Sequence, residues 1–320
     1  MSMMRAIVID ETGAPSVLRA VDVERPGVAN SEFLVKVVAA GINPIDAKTR
    51  AGRGVSALLT YPAILGNDFS GIVVSSPYEG HPIKPGDEVY GMAPVPRQGG
   101  TYAEYVAVPA ISLARKPTAL SHVEAAAVPL AALTAWGMVV ELAKAHEGQR
   151  MLIHAGAGGV GHFAVQFARF FGAVVTATGS TRNLGWLTEL GANEAIDYTT
   201  TRFEDLASNM DVVIDLIGNV HDETGTRSLA TLRPGGLIVN APTGSWPTFI
   251  DDATAAGVRA THYKVSADGS TLAVISRLLE SGDVRVYVDQ VFDLENAAAA
   301  HEALEMGHTR GKLVLKVSDY

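Results

Sequence analysis

The chain of 320 residues contains no cysteine. That excludes disulfides, cysteine-ligated zinc, iron–sulfur clusters and a thiol nucleophile. It suits a reducing compartment, and a cytoplasmic location is the expectation. Basic charge is scarce: 25 Lys and Arg stand against 34 Asp and Glu, a net charge of −9, and no basic run exceeds two residues. Nucleic acid and anionic membrane surfaces are therefore not expected as partners. A bilayer-length apolar run is missing as well. The longest, AAAVPLAALTAWGMVV at 125–140, is broken by Pro129 and Gly137 and bounded by Glu124 and Glu141, and it falls short of the roughly 20 residues a membrane helix needs. The opening residues, MSMMRAIVIDETGAP, hold too short an apolar run for a secretory signal. No G-x-S-x-G elbow occurs, so a serine hydrolase has no support. The nine histidines show no metal-ligand spacing.

What is present describes a globular protein able to bury large cores: 48% of residues are hydrophobic and 18% charged. The length suits two domains. Residues 1–122 read as short β-branched runs, such as RAIVID and EFLVKVVAAGIN, between Pro/Gly clusters, which predicts a β-rich, barrel-like domain. From about 124 the character changes. A helical stretch is predicted to about 145, and then strands alternate with helices. RMLIHAG, AVVTATG, EAIDY, DVVIDLIG, GGLIVNAP and RATHYKV are apolar enough for strands covered on both faces. That alternation predicts βαβ units and a parallel sheet. The fold class is therefore α/β. The boundaries expected are 1–123 with 283–320 for the first domain and 124–282 for the second.

Residues 156–161, GAGGVG, fit G-x-G-x-x-G with Gly156, Gly158 and Gly161, and Gly159 and Val160 complete the loop. The pattern alone is weak, but here the strand RMLIHA precedes it and a helix follows with apolar residues at Val160, Phe163, Ala164, Phe167, Ala168 and Phe171. Gly156 is expected to permit the tight turn, Gly158 the approach of a pyrophosphate, and Gly161 close packing of helix on strand. The helix N-terminus then offers N–H groups and partial positive charge to phosphates. An NAD-binding unit places an acid at the end of its second strand for the ribose 2′-OH. That position falls near Gly179, followed by Ser180 and Arg182. A glycine with a hydroxyl and a guanidinium would admit a 2′-phosphate, so NADPH is the expected cofactor.

At this point the chain resembles the medium-chain dehydrogenase/reductase superfamily, in its zinc-independent quinone oxidoreductase branch. The resemblance covers the whole chain and rests on AAGINPIDAKTRAG, LGNDFSGIV, KPGDEVYG, YAEYV, AAAVPLAALTAWG, HAGAGGVG, DVVIDLIG, LRPGGLIV and the terminal GKLVL. It implies a GroES-like β-rich substrate domain, a Rossmann cofactor domain and an active site in the cleft between them. Zinc-dependent members carry metal ligands at positions that match Asn43, Asn67 and Leu130 here, residues that build no tetrahedral N/S zinc site. Hydride delivery to a small quinone or enone without a metal is what the resemblance implies. Lys48 and Asn43, in NPIDAKTR, become the catalytic candidates, stabilising the oxyanion that hydride arrival creates. Asp46 is read as a helix cap or a partner for a basic group.

Further cofactor contacts follow from position in the resemblance. Asn43 is also placed at the cofactor ribose, Thr134 near the nicotinamide, and Tyr198 at the adenine end. Ile217 and Gly218 border the adenosine ribose. Asn240, Ala241, Pro242 and Thr243 border the nicotinamide, and Lys312 reaches a phosphate or ribose. His154 is read as a buried, hydrogen-bonded histidine rather than a base. Relatives pair as homodimers through the edge strand of the Rossmann sheet, here RATHYKV. Two alternatives stay open: an NADPH-binding structural or redox-sensing protein with little catalysis, and a carbonyl or alcohol oxidoreductase.

Overall fold

A computed structural model of the chain describes residues 2–94 and 100–319. The chain forms two compact units, Met1–Leu133 with Ser266–Tyr320 and Thr134–Val265.

The first unit is built on two sheets. Strands β1 (Met3–Ile9), β2 (Arg19–Glu24) and β4 (Ala63–Ile64) form an antiparallel sheet in the order β2-β1-β4. The larger sheet runs β15 (Val288–Asp293), β16 (Lys312–Lys316), β3 (Glu32–Ile42), β5 (Asp68–Ser75), β6 (Glu88–Met92), β8 (Leu113–Arg115), with β7 (Tyr105–Pro109) also paired to β3. β3 is its spine. The strand starts with alternating exposure and ends in six buried residues, as its sequence EFLVKVVAAGI implies. Phe33, Val35, Val37, Phe69, Val89, Leu313 and Leu315 form part of one core. The C-terminal strand thus closes the sheet begun by the N-terminal half, β16 pairing antiparallel to β3.

In the second unit six parallel strands take the order β11 (Glu194–Asp197), β10 (Val174–Gly179), β9 (Arg150–Ile153), β12 (Met210–Asp215), β13 (Leu232–Asn240), β14 (Arg259–His262). This is the doubly wound Rossmann order, and its topological switch point lies between β9 and β12. The helix Gly161–Phe170 follows β9 and buries every residue from Gly161 to Ala168. Phe167 meets Trp136 edge to face at 5.3 Å.

The strands stand where their apolar runs place them. The expected boundaries do not coincide with the compact units. The helix Gly269–Ser281 belongs to the first unit, because Gly269 lets it approach β8 closely: a Cβ there would lie 2.2 Å from the Leu113 carbonyl oxygen. Tyr90 Oη also donates to Leu272 O at 2.9 Å. The helix His122–Ala126 likewise lies in the first unit, where Ala126 and Ala127 pack with Ala39 and Val314.

The helical stretch expected to about 145 is divided. Pro129, which has no N–H to donate, opens a new helix, Pro129–Trp136, and a π-helical turn occupies Gly137–Leu142. The Tyr263 ring rests against Gly137, so closely that a Cβ at 137 would lie 2.0 Å from its Cζ. Among the described residues no helix is long and apolar enough to cross a membrane.

Candidate functional site

In the second unit the glycine loop leaves β9 at its carboxyl end. Gly161 is dictated by space: a Cβ would lie 2.1 Å from Ala155 O and 2.8 Å from Gly156 Cα. At Gly156 a Cβ would sit 2.9 Å from Leu187 Cδ2 and 3.0 Å from Ala177 Cβ. Gly158 is bounded by a single atom within 4 Å, Ala155 O at 3.3 Å, so its surroundings are open on the other sides. The left-handed conformation in this turn belongs to Ala155, with φ of 49°, a conformation that costs a non-glycine residue about 1–2 kcal/mol. Gly156 is glycine because the neighbouring helix and strand leave no room for a side chain. Gly159 and Val160 lead into the helix and are partly exposed.

β10 ends at Gly179, where a Cβ would meet Leu187 Cδ1 at 2.8 Å. Ser180 opens the turn Thr181–Asn183, its Oγ accepting from Asn183 Nδ2 at 3.2 Å, and Arg182 is exposed on that turn. Tyr198, 59% exposed, follows β11. After β12, Asp215 Oδ1 accepts from the N–H groups of Ile217 at 2.9 Å and Gly218 at 2.8 Å. These two amides are thus spent within the loop, and a ribose contact there falls to other atoms. Asp215 Oδ2 accepts from Asn240 Nδ2 at 2.8 Å, locking the ends of β12 and β13 together. Beyond β13, Ala241 and Thr243 line a cavity of about 130 Å³ with Gly244, His262, Tyr263 and Lys264; Pro242 O accepts from Ser245 Oγ. Thr134 is buried, at the start of this unit. His154 bridges Thr178 Oγ1 at 3.2 Å and Ser228 Oγ at 2.8 Å, and burial pulls it down to about 4.

The first unit gathers a buried polar cluster around β3's end. Asn43 opens the helix Pro44–Arg50, and Asp46 accepts from the Asn43 N–H at 2.8 Å, a capping contact. Asn43 Nδ2 donates to Asp68 Oδ2 at 2.9 Å, and the Leu130 N–H donates to Asp68 Oδ1 at 2.8 Å. Two of the three positions that match zinc ligands in metal-dependent members therefore converge on this carboxylate. Lys312 Nζ donates to Ile42 O at 2.8 Å and to Asn43 Oδ1, and lies 3.6 Å from Asp68 Oδ2. At 3% exposure the Lys312 ammonium is engaged inside the first unit, donating to Ile42 O and Asn43 Oδ1 beside the Asp68 carboxylate. Asn43, 1% exposed, is likewise committed to Asp68 and Lys312.

Burial pushes Asp46 up to about 7 and raises Asp68, while Lys312 is lowered for the same reason. Tyr102 Oη donates to Asp46 Oδ2 at 3.2 Å and also meets His301 Nε2 at 3.2 Å. Asp68 and Tyr102 lie in LGNDFSGIV and YAEYV, stretches that carry the resemblance, but reasoning from the sequence assigns neither of them nor His301 to the site; the available signal is that DFSG and YAEY interrupt apolar strands with polar residues. Lys48, by contrast, is half-buried on the helix Pro44–Arg50, and among the described residues nothing pairs with its ammonium. Burial, then the nearby Arg53, lowers its pKa. Among the described residues no group of three His, Asp or Glu side chains is placed to hold a metal ion.

Comparison with known proteins places this geometry. Residues 29–118 match the alcohol dehydrogenase GroES-like domain family, and 190–315 match the zinc-binding dehydrogenase family. The 2-methylene-furan-3-one reductase of Solanum lycopersicum is 37% identical over 98% of this chain and 79% of its own length. The NADPH-dependent alkenal/one oxidoreductase, chloroplastic, of Arabidopsis thaliana is 35% identical, again over 98% of this chain and 79% of its own. Among solved structures, the quinone oxidoreductase from Coxiella burnetii superposes with a TM-score of 0.94 at 38% identity, covering 99% of this chain and all of that one. The chain belongs to the medium-chain dehydrogenase/reductase superfamily of oxidoreductases, in the branch that holds the quinone and enone reductases.

Proposed function

We propose that the chain is a reductase that uses NADPH to reduce a small quinone or α,β-unsaturated carbonyl, with no metal in the chemistry. The observation that carries this reading is the loop 156–161. Two of its glycines have no room for a Cβ, it sits at the carboxyl end of β9 beside the switch point, and it opens a helix N-terminus. That is the chemistry of a pyrophosphate cradle. Loop 156–161 would hold the phosphates, Ser180 and Arg182 the 2′-phosphate, Tyr198 the adenine end, and the segment 240–243 with Thr134 the nicotinamide end. The names of the relatives support the acceptor class. Bound there, the reduced nicotinamide supplies the hydride.

The protein's own contribution is to receive charge on the acceptor. Hydride arriving at an enone β-carbon or a quinone leaves negative charge on an oxygen, and a positioned donor is commonly worth about 10²–10³ in rate. Lys48 is the group suited to this, because its ammonium has no partner among the described residues and its lowered pKa eases proton release. Asn43 acts differently from the expectation: it holds Asp68 and Lys312 and so positions the helix that carries Lys48. Lys48→Ala is expected to lower kcat at least about tenfold, about 1.4 kcal/mol of barrier, with little change in KM for NADPH. Steady-state rates that match the parent would remove Lys48 from the chemistry.

The reading itself is tested by following absorbance at about 340 nm with NADPH and a panel of quinones, enals and enones. Turnover on at least one acceptor is expected. Firm NADPH binding with no turnover on any would favour a structural or sensing role. Arg182→Ala is expected to raise KM for NADPH about fivefold or more while leaving KM for NADH nearly unchanged, since only the former carries the extra phosphate. Equal changes for the two would withdraw the 2′-phosphate assignment. Two copies are proposed to pair along β14, the sheet's last strand, covering its unpaired backbone groups. A cytoplasmic setting is the reading that the lack of cysteine supports.

A further inference from the structure

One carboxylate beside the turn that Ser180 opens has no part in the reading above. β10 and β11 run parallel in register, with Gly179 opposite Asp197. Gly179 is the strand end where an NAD-binding unit carries its acid, and here that place has no side chain. The acid stands instead at the end of the adjacent strand. Asp197 Oδ2 accepts from Thr181 Oγ1 at 2.5 Å, and Oδ1 accepts from the Thr199 N–H at 2.9 Å and Thr199 Oγ1 at 2.6 Å. Thr181 begins the turn that Ser180 opens and that carries Arg182. A single carboxylate is therefore tied to the turn assigned to the 2′-phosphate. The hydroxyl of Thr181, then that of Thr199, holds Asp197 below the usual carboxylate range, so it is ionised at every working pH.

We propose that Asp197 is a specificity-determining residue of the dinucleotide site, a fixed negative charge that restrains the preference for the 2′-phosphorylated cofactor and keeps the site open to NADH. The inference rests on the dinucleotide reading above. A phosphate monoester brings about −1.5 to −2 charges at neutral pH. A carboxylate within a Debye length, about 8–10 Å in ordinary buffer, repels it. The 2′-hydroxyl of NADH carries no charge and escapes that repulsion. Arg182 on the turn and Asp197, bonded to the turn's Thr181, then act in opposition, and their balance sets a graded preference rather than an absolute one.

The test is direct binding, read from the fluorescence of the reduced nicotinamide, with NADPH and NADH titrated separately into the full chain. Asp197→Asn keeps size and the capacity to accept from Thr199 while removing the charge; Asp197→Ser removes both charge and bulk. Both variants are expected to tighten NADPH about threefold or more relative to NADH, and the gain is expected to shrink at about 0.5 M salt, where charges are screened. An unchanged or lower ratio of NADPH to NADH affinity in both variants overturns the proposal while leaving the reductase reading in place. Failure of the parent protein to bind either dinucleotide overturns that reading, and this inference with it.

Discussion

Gly161→Ala is expected to weaken NADPH binding at least about tenfold, equivalent to about 1.4 kcal/mol, and to lower the melting temperature. The new methyl would lie 2.1 Å from Ala155 O and 2.8 Å from Gly156 Cα. Both are backbone atoms, so no side-chain rotation relieves the clash. The loop must part from the helix, and overpacking of this kind costs about 1–3 kcal/mol. The damage falls where the helix N-terminus would face the phosphates, so affinity and stability fall together. Gly185→Ala supplies the control. It lies in the helix Leu184–Glu189 with nothing within 4 Å of its would-be Cβ, and alanine there should stabilise the helix by up to about 1 kcal/mol. Thermal melts and fluorescence titrations of the two variants check the contrast; a Gly161→Ala protein that binds and melts like the parent would refute the packing argument.

Lys312→Met is the second large effect. The substitution leaves Asp68 and Asp46 buried without their cation, and breaking a buried pair in this way costs about 3–5 kcal/mol. The loss depends on pH with a definite sign. Asp46 has its folded pKa at about 7 against an ordinary 3.8. Its favourable contribution is therefore complete below about pH 4 and is lost as pH rises through 7. Removing the ammonium raises both carboxyls further, so the variant's deficit should widen from pH 5 to pH 8. Burial acts oppositely on His301, holding it down to about 3, so its stabilising share is lost as pH falls from about 6.5 towards that value. Denaturant melts of parent and variant across this range separate the two slopes. A deficit that stays constant with pH would show that Lys312 acts through packing alone.

The second unit was largely legible before the structure. Its central strands are short, mostly apolar runs, as in β9 and β12, while the edge strands β11 and β14 are mixed and half-exposed, and the junction after β9 carries its glycine signal close in sequence. The glycine loop was readable because its partners lie within a few tens of residues, as Gly156 against Ala177 and Leu187 shows. The first unit hid its chemistry. Asn43, Asp68 and Lys312 are brought together by β16 returning to β3, across a separation of 269 residues between Asn43 and Lys312. No local pattern announces such a meeting, and the resemblance points Lys312 at a phosphate or ribose instead. The helix Gly269–Ser281 packs in the first compact unit, outside the boundary expected from sequence, for a related reason. Its amphipathic pattern states that one face is buried but not against what, and long-range contacts such as Gly269 with β8 and Leu272 O with Tyr90 decide it. Ala155 shows a finer limit: with glycines on every side, composition could not say which residue takes the left-handed turn.

The tyrosine resting on Gly137 ties two distant positions into one inherited unit. A side chain at 137 would evict the Tyr263 ring, since even its first carbon would overlap the phenol. A small residue at 263 would leave a hollow over the π-turn instead. Any evolutionary route to another arrangement must cross an overfilled or an empty intermediate. Drift at this corner is therefore expected to come as paired exchanges, with bulk traded across the chain rather than gained or lost at one end.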